Sequence, residues 1–247
     1  MQDTSMSVTE HLEELRKRLI VSAIGFAVSF GIGFFLAKPL IIYLQHIKAA
    51  DHIQMNYFRV TDPFNIYMQM AFVIGIILVS PLLLYQLWAF VSPGLYKNER
   101  RVTLSYIPIM IVLFLAGVAF SFYVLFPYVL HFMGTLSSSL HITSVIGINE
   151  YFHFLIQITL PFGLVFELPV LVMFLTRLGI ITPFFLTKIR KYAYFVLLVV
   201  AGLITPPDVM SQLIVMVPLV ILYEISVLIS RYTFNQSLKR MASHDES

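Results

Sequence analysis

Apolar residues run along this chain in long unbroken blocks. The blocks lie at roughly 19–37, 66–91, 105–130, 152–176, 191–204 and 209–229, separated by shorter polar segments. Most are about 20 residues long, the length a helix needs to cross a bilayer core of roughly 30 Å. The pattern predicts an all-α integral membrane protein with six spans. They form a single membrane domain over 1–231, followed by a short polar tail at 232–247. One stretch has a different pattern. In "SVTEHLEELRKRL" at 7–19, Val8, Leu12, Leu15 and Leu19 recur at helical spacing on one face. Ser7 and Glu10 have the spacing of a capping box, which marks a helix start. An amphipathic helix is expected here, lying along the membrane surface before it turns into the first span. Glu13–Lys17 and Glu14–Arg18 are favourable i,i+4 pairs on it.

The fifth block is short. Tyr192 to Ile204 is about 13 residues, or about 20 Å of helix, before "TPPD" at 205–208. A helix of that length fits locally thinned lipid or close packing against neighbours; a re-entrant hairpin is the other reading. Pro206 and Asp208 are expected to shape the turn that follows. Pro81, Pro108, Pro127, Pro161, Pro169 and Pro218 lie inside the blocks. Each removes a backbone donor and tends to kink its helix. As a set they favour bent helices and a curved bundle.

Charge then gives a direction. Four segments, the N-terminal tail, 92–104, 177–191 and the C-terminal tail, hold all but three of the 16 Lys and Arg. The exceptions, Lys38, Lys48 and Arg59, share the first outer loop, 38–65. Basic loops stay in the cytoplasm, so both termini are expected there. Tyr85, Trp88, Tyr192 and Tyr194 lie where interfacial anchors belong. "RKR" at 16–18 before an apolar run resembles a secretory signal. The run to Ala37 is long enough to span, however, and no small-residue cleavage pattern follows, so a retained first span is expected.

Composition narrows the chemistry. The chain has 247 residues, 59% hydrophobic and 12% charged, with no cysteine. Disulfides, thiolate metal sites and thiol catalysis are excluded. There is no His-Glu-x-x-His for zinc, no Gly-x-Ser-Gly nucleophile and no nucleotide-binding loop. An intramembrane aspartyl protease needs two embedded aspartates, and only Asp208 lies near the membrane. Glu150 and His153 have a Glu-x-x-His spacing, too little to make a metal site. Neither an enzyme, a metal, a cofactor nor a nucleic-acid partner is expected.

The remaining polar positions are informative. Glu167 in "GLVFELPVL" sits inside the fourth span, two residues before Pro169. Thr205, Asp208 and Gln212 flank the turn between the last two spans. An ionisable group within a span is costly and points to function. Glu224 lies nearer a span end, seven residues before Arg231, where it can snorkel. Glu99 lies among Lys97, Arg100 and Arg101 in the loop after the second span.

"HLEELRKRL", "PGLYKNERR", "FELPV", "TPPDVMSQ" and "LYEIS" occur in this order across six spans. Together they resemble the TatC family, the large membrane subunit of the twin-arginine protein translocase, over roughly residues 8–231. The first outer loop matches least. The resemblance implies a concave, glove-like six-helix bundle with short fifth and sixth helices, in the cytoplasmic membrane of a prokaryote. It implies a receptor for signal peptides with two consecutive arginines, whose cargo is exported folded at the expense of the proton gradient. Glu14 and Glu99 would form the arginine site, with Arg16, Phe90, Lys97 and Arg101 contributing to peptide binding. Glu167, Thr205 and Gln212 would form the cluster where small single-span subunits dock. The implied partners are those subunits, signal peptides, other copies of the chain and the bilayer. The alternative is an ion-coupled secondary transporter of a small solute, using Glu167 and the "TPPD" region as a midplane site.

Overall fold

The computed structural model describes residues 8–47, 55–91, 104, 106–141, 145–205 and 209–245. The chain forms two compact units, Met1–Ile111 with Met133–Ile156 and Val112–Phe132 with Gln157–Ser247. Among the described residues, five helical stretches are long and apolar enough to cross a membrane: Thr9–Gln45, Asp62–Phe90, Tyr106–Ser139, Ile148–Arg177 and Val209–Gln236. They coincide with five of the six expected blocks. The block at 191–204 is helical too, but too short to be counted with them.

In the first unit, helix α1 (Val8–Gln45) packs along α2 (Asp62–Val91). Small residues allow a close approach, as is common between helices in lipid. A Cβ on Gly33 would collide with the Ala71 carbonyl oxygen, and one on Gly75 would lie 3.1 Å from the Phe30 Cα. The faces of α1 turned away from α2 carry exposed Ile24, Val28 and Phe35, as lipid-facing surface should. The expected turn between a surface helix and the first span is absent. α1 is one helix of 38 residues, because residues 8–24 contain neither Gly nor Pro to interrupt the hydrogen-bond ladder. Ser7, the expected cap, lies outside the described residues.

A small parallel pairing joins β1 (Met55–Asn56) to β2 (Ile146–Gly147), with Met55 opposite Ile146. Beside it, Asp62, the first residue of α2, holds the preceding loop. Its Oδ2 accepts from the backbone N–H groups of Phe58 and Arg59 at 3.0 and 2.9 Å. Tyr151 donates to the Leu44 carbonyl at 3.3 Å, which ties the end of α1 to the helix that follows β2.

The prolines act unequally. α3 (Tyr106–Phe120) passes into a π-turn at Ser121–Leu125 and then into α4 (Phe126–Ser139). The Phe126 N–H reaches back to the Ser121 carbonyl. The wider turn comes just before Pro127, which has no N–H to offer the ladder. α5 (Ile148–Val165) stops, and α6 (Leu168–Arg177) begins after a two-residue turn at Phe166 and Glu167. Pro169 stands at the start of α6. The carbonyl it fails to serve is that of Val165, the last residue of α5. Pro81, Pro161 and Pro218, by contrast, sit inside helices that run through without a break.

The second unit ends in a helical hairpin. α7 (Pro183–Lys188) is capped by Thr182, whose hydroxyl accepts from Phe185 N–H. α8 (Arg190–Ile204) has 15 residues, about 22 Å, which bears out the short fifth helix. α9 (Val209–Asp245) has 37 residues, so the sixth helix is not short. After Pro218 its sequence contains no helix breaker, and it continues through the segment expected as a polar tail. α9 packs against α6, α7 and α8. Buried Thr176 and Ser230 share a 2.8 Å hydrogen bond between α6 and α9, and Tyr223 donates to the Leu186 carbonyl of α7 at 2.7 Å.

Glu224 accepts from Arg190 at 2.7 Å and from Tyr194 at 2.6 Å, tying α8 to α9. The ion pair is partly exposed, so water screens it. Glu224→Ala is expected to lower stability by about 1 kcal/mol or less. Thermal unfolding in detergent measures this; an unchanged midpoint would show that the tie adds nothing to stability.

Candidate functional site

Two polar sites emerge, one in each unit. The first lies where the beginning of α1 meets the end of α2. The helix spacing turns Glu14 and Arg18 to one face. Arg18 Nε donates to Glu14 Oε1 at 2.7 Å, and Nη2 lies 2.6 Å from the same oxygen in an ion pair. Arg18 Nη1 donates to Gln86 Oε1 of α2 at 3.0 Å. Gln86 is buried, while Glu14 and Arg18 are partly so. Phe90, one turn further along α2, packs its ring 4.5 Å from that of His11. Two acceptors from two helices thus converge on one guanidinium, with an aromatic contact alongside.

Of the residues expected at this site, Glu14 and Phe90 stand together at these two helix ends. Arg16 points elsewhere, as two residues along a helix must. It lines an open hollow with Glu13, Lys17, Ile20 and Val21. Glu13 and Lys17 form no ion pair among the described residues, whereas Glu14 and Arg18 do. Glu99, Lys97 and Arg101 lie outside the described residues. Sequence reasoning missed Gln86. Its signal was available, an amide inside "LLLYQLWAF", but in sequence nothing connects it to Arg18.

The second site belongs to the other unit. Glu167 occupies the turn between α5 and α6, with its backbone N–H bonded to Leu164 O. Both carboxyl oxygens are buried without a hydrogen-bond partner among the described residues. Thr205 is buried at the end of α8 and donates to Ala201 O at 2.9 Å. Gln212 of α9 reaches across to α8 and donates to Leu198 O at 3.1 Å. Gly202 leaves room for that amide; a Cβ there would lie 3.0 Å from Gln212 Nε2. Gln157 of α5, also missed in the sequence, donates to Leu203 O at 2.9 Å.

Among the described residues no hydrogen bond joins Glu167, Thr205 and Gln212 to one another. Two of them satisfy backbone carbonyls of the short helix, and the third is left without a partner. Pro206 and Asp208 lie outside the described residues. The described residues contain no cluster of three or more His, Cys, Asp or Glu suited to a metal. Gly202→Ala is expected to push the Gln212 amide off Leu198 while leaving the hairpin folded. Faster hydrogen exchange confined to the end of α8 would report it; unchanged exchange would show that Gln212 has room to adjust.

The chain is similar to several known proteins. The family model described as Sec-independent protein translocase protein (TatC) matches residues 10–218. The chain is 60% identical over 243 residues to the Sec-independent protein translocase protein TatCy of Bacillus subtilis (strain 168), covering 98% of this chain and 96% of that protein. It is 54% identical over 239 residues to the Sec-independent protein translocase protein TatC of Halalkalibacterium halodurans, covering 97% and 94%. A crystal structure of the twin arginine translocase receptor TatC superposes with a TM-score of 0.82 at 33% identity, covering 91% of this chain and 99% of that one.

Proposed function

Because the chain belongs to the TatC family of Sec-independent protein translocase proteins, we propose that it is the core receptor subunit of a twin-arginine translocase. It is a membrane protein with a transport role. In the proposed reading it has six spans in one membrane domain, the short α8 being the fifth, with both termini in the cytoplasm. It resides in the cytoplasmic membrane, binds twin-arginine signal peptides on the cytoplasmic face, and docks small single-span subunits and further copies of itself. Export of folded cargo draws on the proton gradient. The family match gives the solute-transporter alternative no support.

The observation that carries this reading is the guanidinium cradle made by Glu14 and Gln86 beside Phe90. A carboxylate accepts parallel hydrogen bonds from one guanidinium, and a lysine cannot reproduce that fork. Glu14 and Glu99 are the arginine-binding carboxylates; Arg16, Phe90, Lys97 and Arg101 complete the peptide surface. In the second unit, Glu167 with Thr205 and Gln212 is the docking point for a partner's transmembrane helix. The support there is a buried carboxyl group with no partner of its own. The test is binding of a twin-arginine signal peptide to the purified protein, against the same peptide with two lysines. Clear preference for arginine is expected; equal binding would overturn the reading.

A further inference from the structure

The cradle at Glu14 and Gln86 is already filled by the chain's own Arg18. Its Nε donates to Glu14 Oε1 and its Nη1 to Gln86 Oε1, while Nη2 makes the close ion-pair contact with Glu14. No hydrogen bond from the described residues reaches the other carboxylate oxygen, Oε2. A guanidinium arriving from outside therefore meets an occupied site. It can settle on Oε2 alone, next to a like charge, or take over the acceptors as Arg18 leaves.

Burial favours the exchange. Gln86 is only 6% exposed, and an acceptor shut away from water is costly to leave unpaired. Replacing one guanidinium by another keeps Gln86 and Glu14 paired throughout. Arg18 has a way out, since its side chain is 26% exposed and hangs on a flexible stem that can carry the charge to water. Its attachment is an i,i+4 pair reachable by solvent, a type that is weak and readily broken.

We propose that Arg18 is the resident occupant of the arginine site, and that a signal-peptide arginine binds by displacing it. This rests on the reading of Glu14 as an arginine-binding carboxylate. The exchange keeps the empty receptor's acceptors satisfied and lowers affinity for the peptide. It also gives release a driving step, as Arg18 returns to Glu14.

The test is the affinity of a twin-arginine signal peptide for the purified full chain in nanodiscs, with folding of each variant checked by thermal unfolding. Arg18→Gln removes the competitor and is expected to tighten binding by up to about fivefold, the range a weak partly exposed pair would contribute. Arg18→Lys keeps the charge without the fork and is expected to fall between the two. Lys17→Gln makes the same charge change on the same helix away from Glu14, and is expected to leave affinity near that of the unaltered protein. In a Glu14→Ala background, Arg18→Gln is expected to give no gain. Unchanged affinity in Arg18→Gln would overturn the exchange. So would weaker binding, which would mean that Arg18 holds Glu14 in place, or an equal gain in Lys17→Gln, which would mean that net charge alone acts. If Glu14→Ala by itself causes no loss, the arginine site falls and the exchange with it. If Glu14→Ala weakens binding and Arg18→Gln does not strengthen it, only the exchange falls.

Discussion

Glu14→Ala and Glu99→Ala are each expected to weaken binding of a twin-arginine peptide by about tenfold to a hundredfold, with membrane insertion intact. A hydrogen bond to a charged group contributes about 1.5–3 kcal/mol, and each 1.4 kcal/mol is about a factor of ten in affinity. The fold should tolerate the change at Glu14. Arg18 loses its carboxylate but keeps Gln86, and its partly exposed head can rehydrate. The cost to stability is then about 1 kcal/mol or less. Calorimetry on detergent-solubilised protein measures the affinity, and thermal unfolding measures the fold. Unchanged affinity in both variants would place the arginine site elsewhere.

Glu167 is expected to separate stability from docking. Its two carboxyl oxygens are buried without a partner among the described residues, and such a group costs about 1–3 kcal/mol when left unpaired. Glu167→Leu should therefore stabilise the isolated chain by up to about that amount, while removing the polar contact offered to a partner helix. Glu167→Gln keeps a side chain that donates and accepts, and should retain much of the docking. Glu167→Ala should lose more. Site-specific crosslinking to the small subunit in membranes, with signal-peptide binding as control, reads the docking. Undiminished crosslinking in both Glu167→Leu and Glu167→Ala would sink the docking role. If Glu167→Ala also abolished proton-coupled uptake of a solute, the transporter reading would take its place.

Lipid as solvent made much of this protein legible from sequence. A backbone in hydrocarbon must satisfy its own hydrogen bonds, so long apolar blocks had to become helices. Five of the six became helices long enough to cross, and the remaining block, the fifth, formed a helix of only 15 residues. Pro169 beside Glu167 marked the place where α5 ends and α6 begins, because a missing N–H is a local property of the chain. Glu14 with Arg18 was readable for the same reason, being a relation within one helix.

Tertiary structure decided the rest. Whether Pro81 or Pro127 disturbs its helix was not a local matter; only the second coincides with a change of helix type. The length of α9 beyond its apolar block, and the absence of a turn in α1, depend on uninterrupted hydrogen bonding rather than on hydropathy. Gln86 became part of a site because the packing of α1 along α2 brought Arg18 within reach of it. Gln212 and Gln157 could be recognised as polar from their letters, but their carbonyl partners on α8 are set by packing. The sequence determined which segments enter the membrane and which carry charge, since transfer free energy belongs to each residue. Packing determined which polar groups meet and that Glu167 meets none among the described residues, since a hydrogen bond needs two groups brought within about 3 Å.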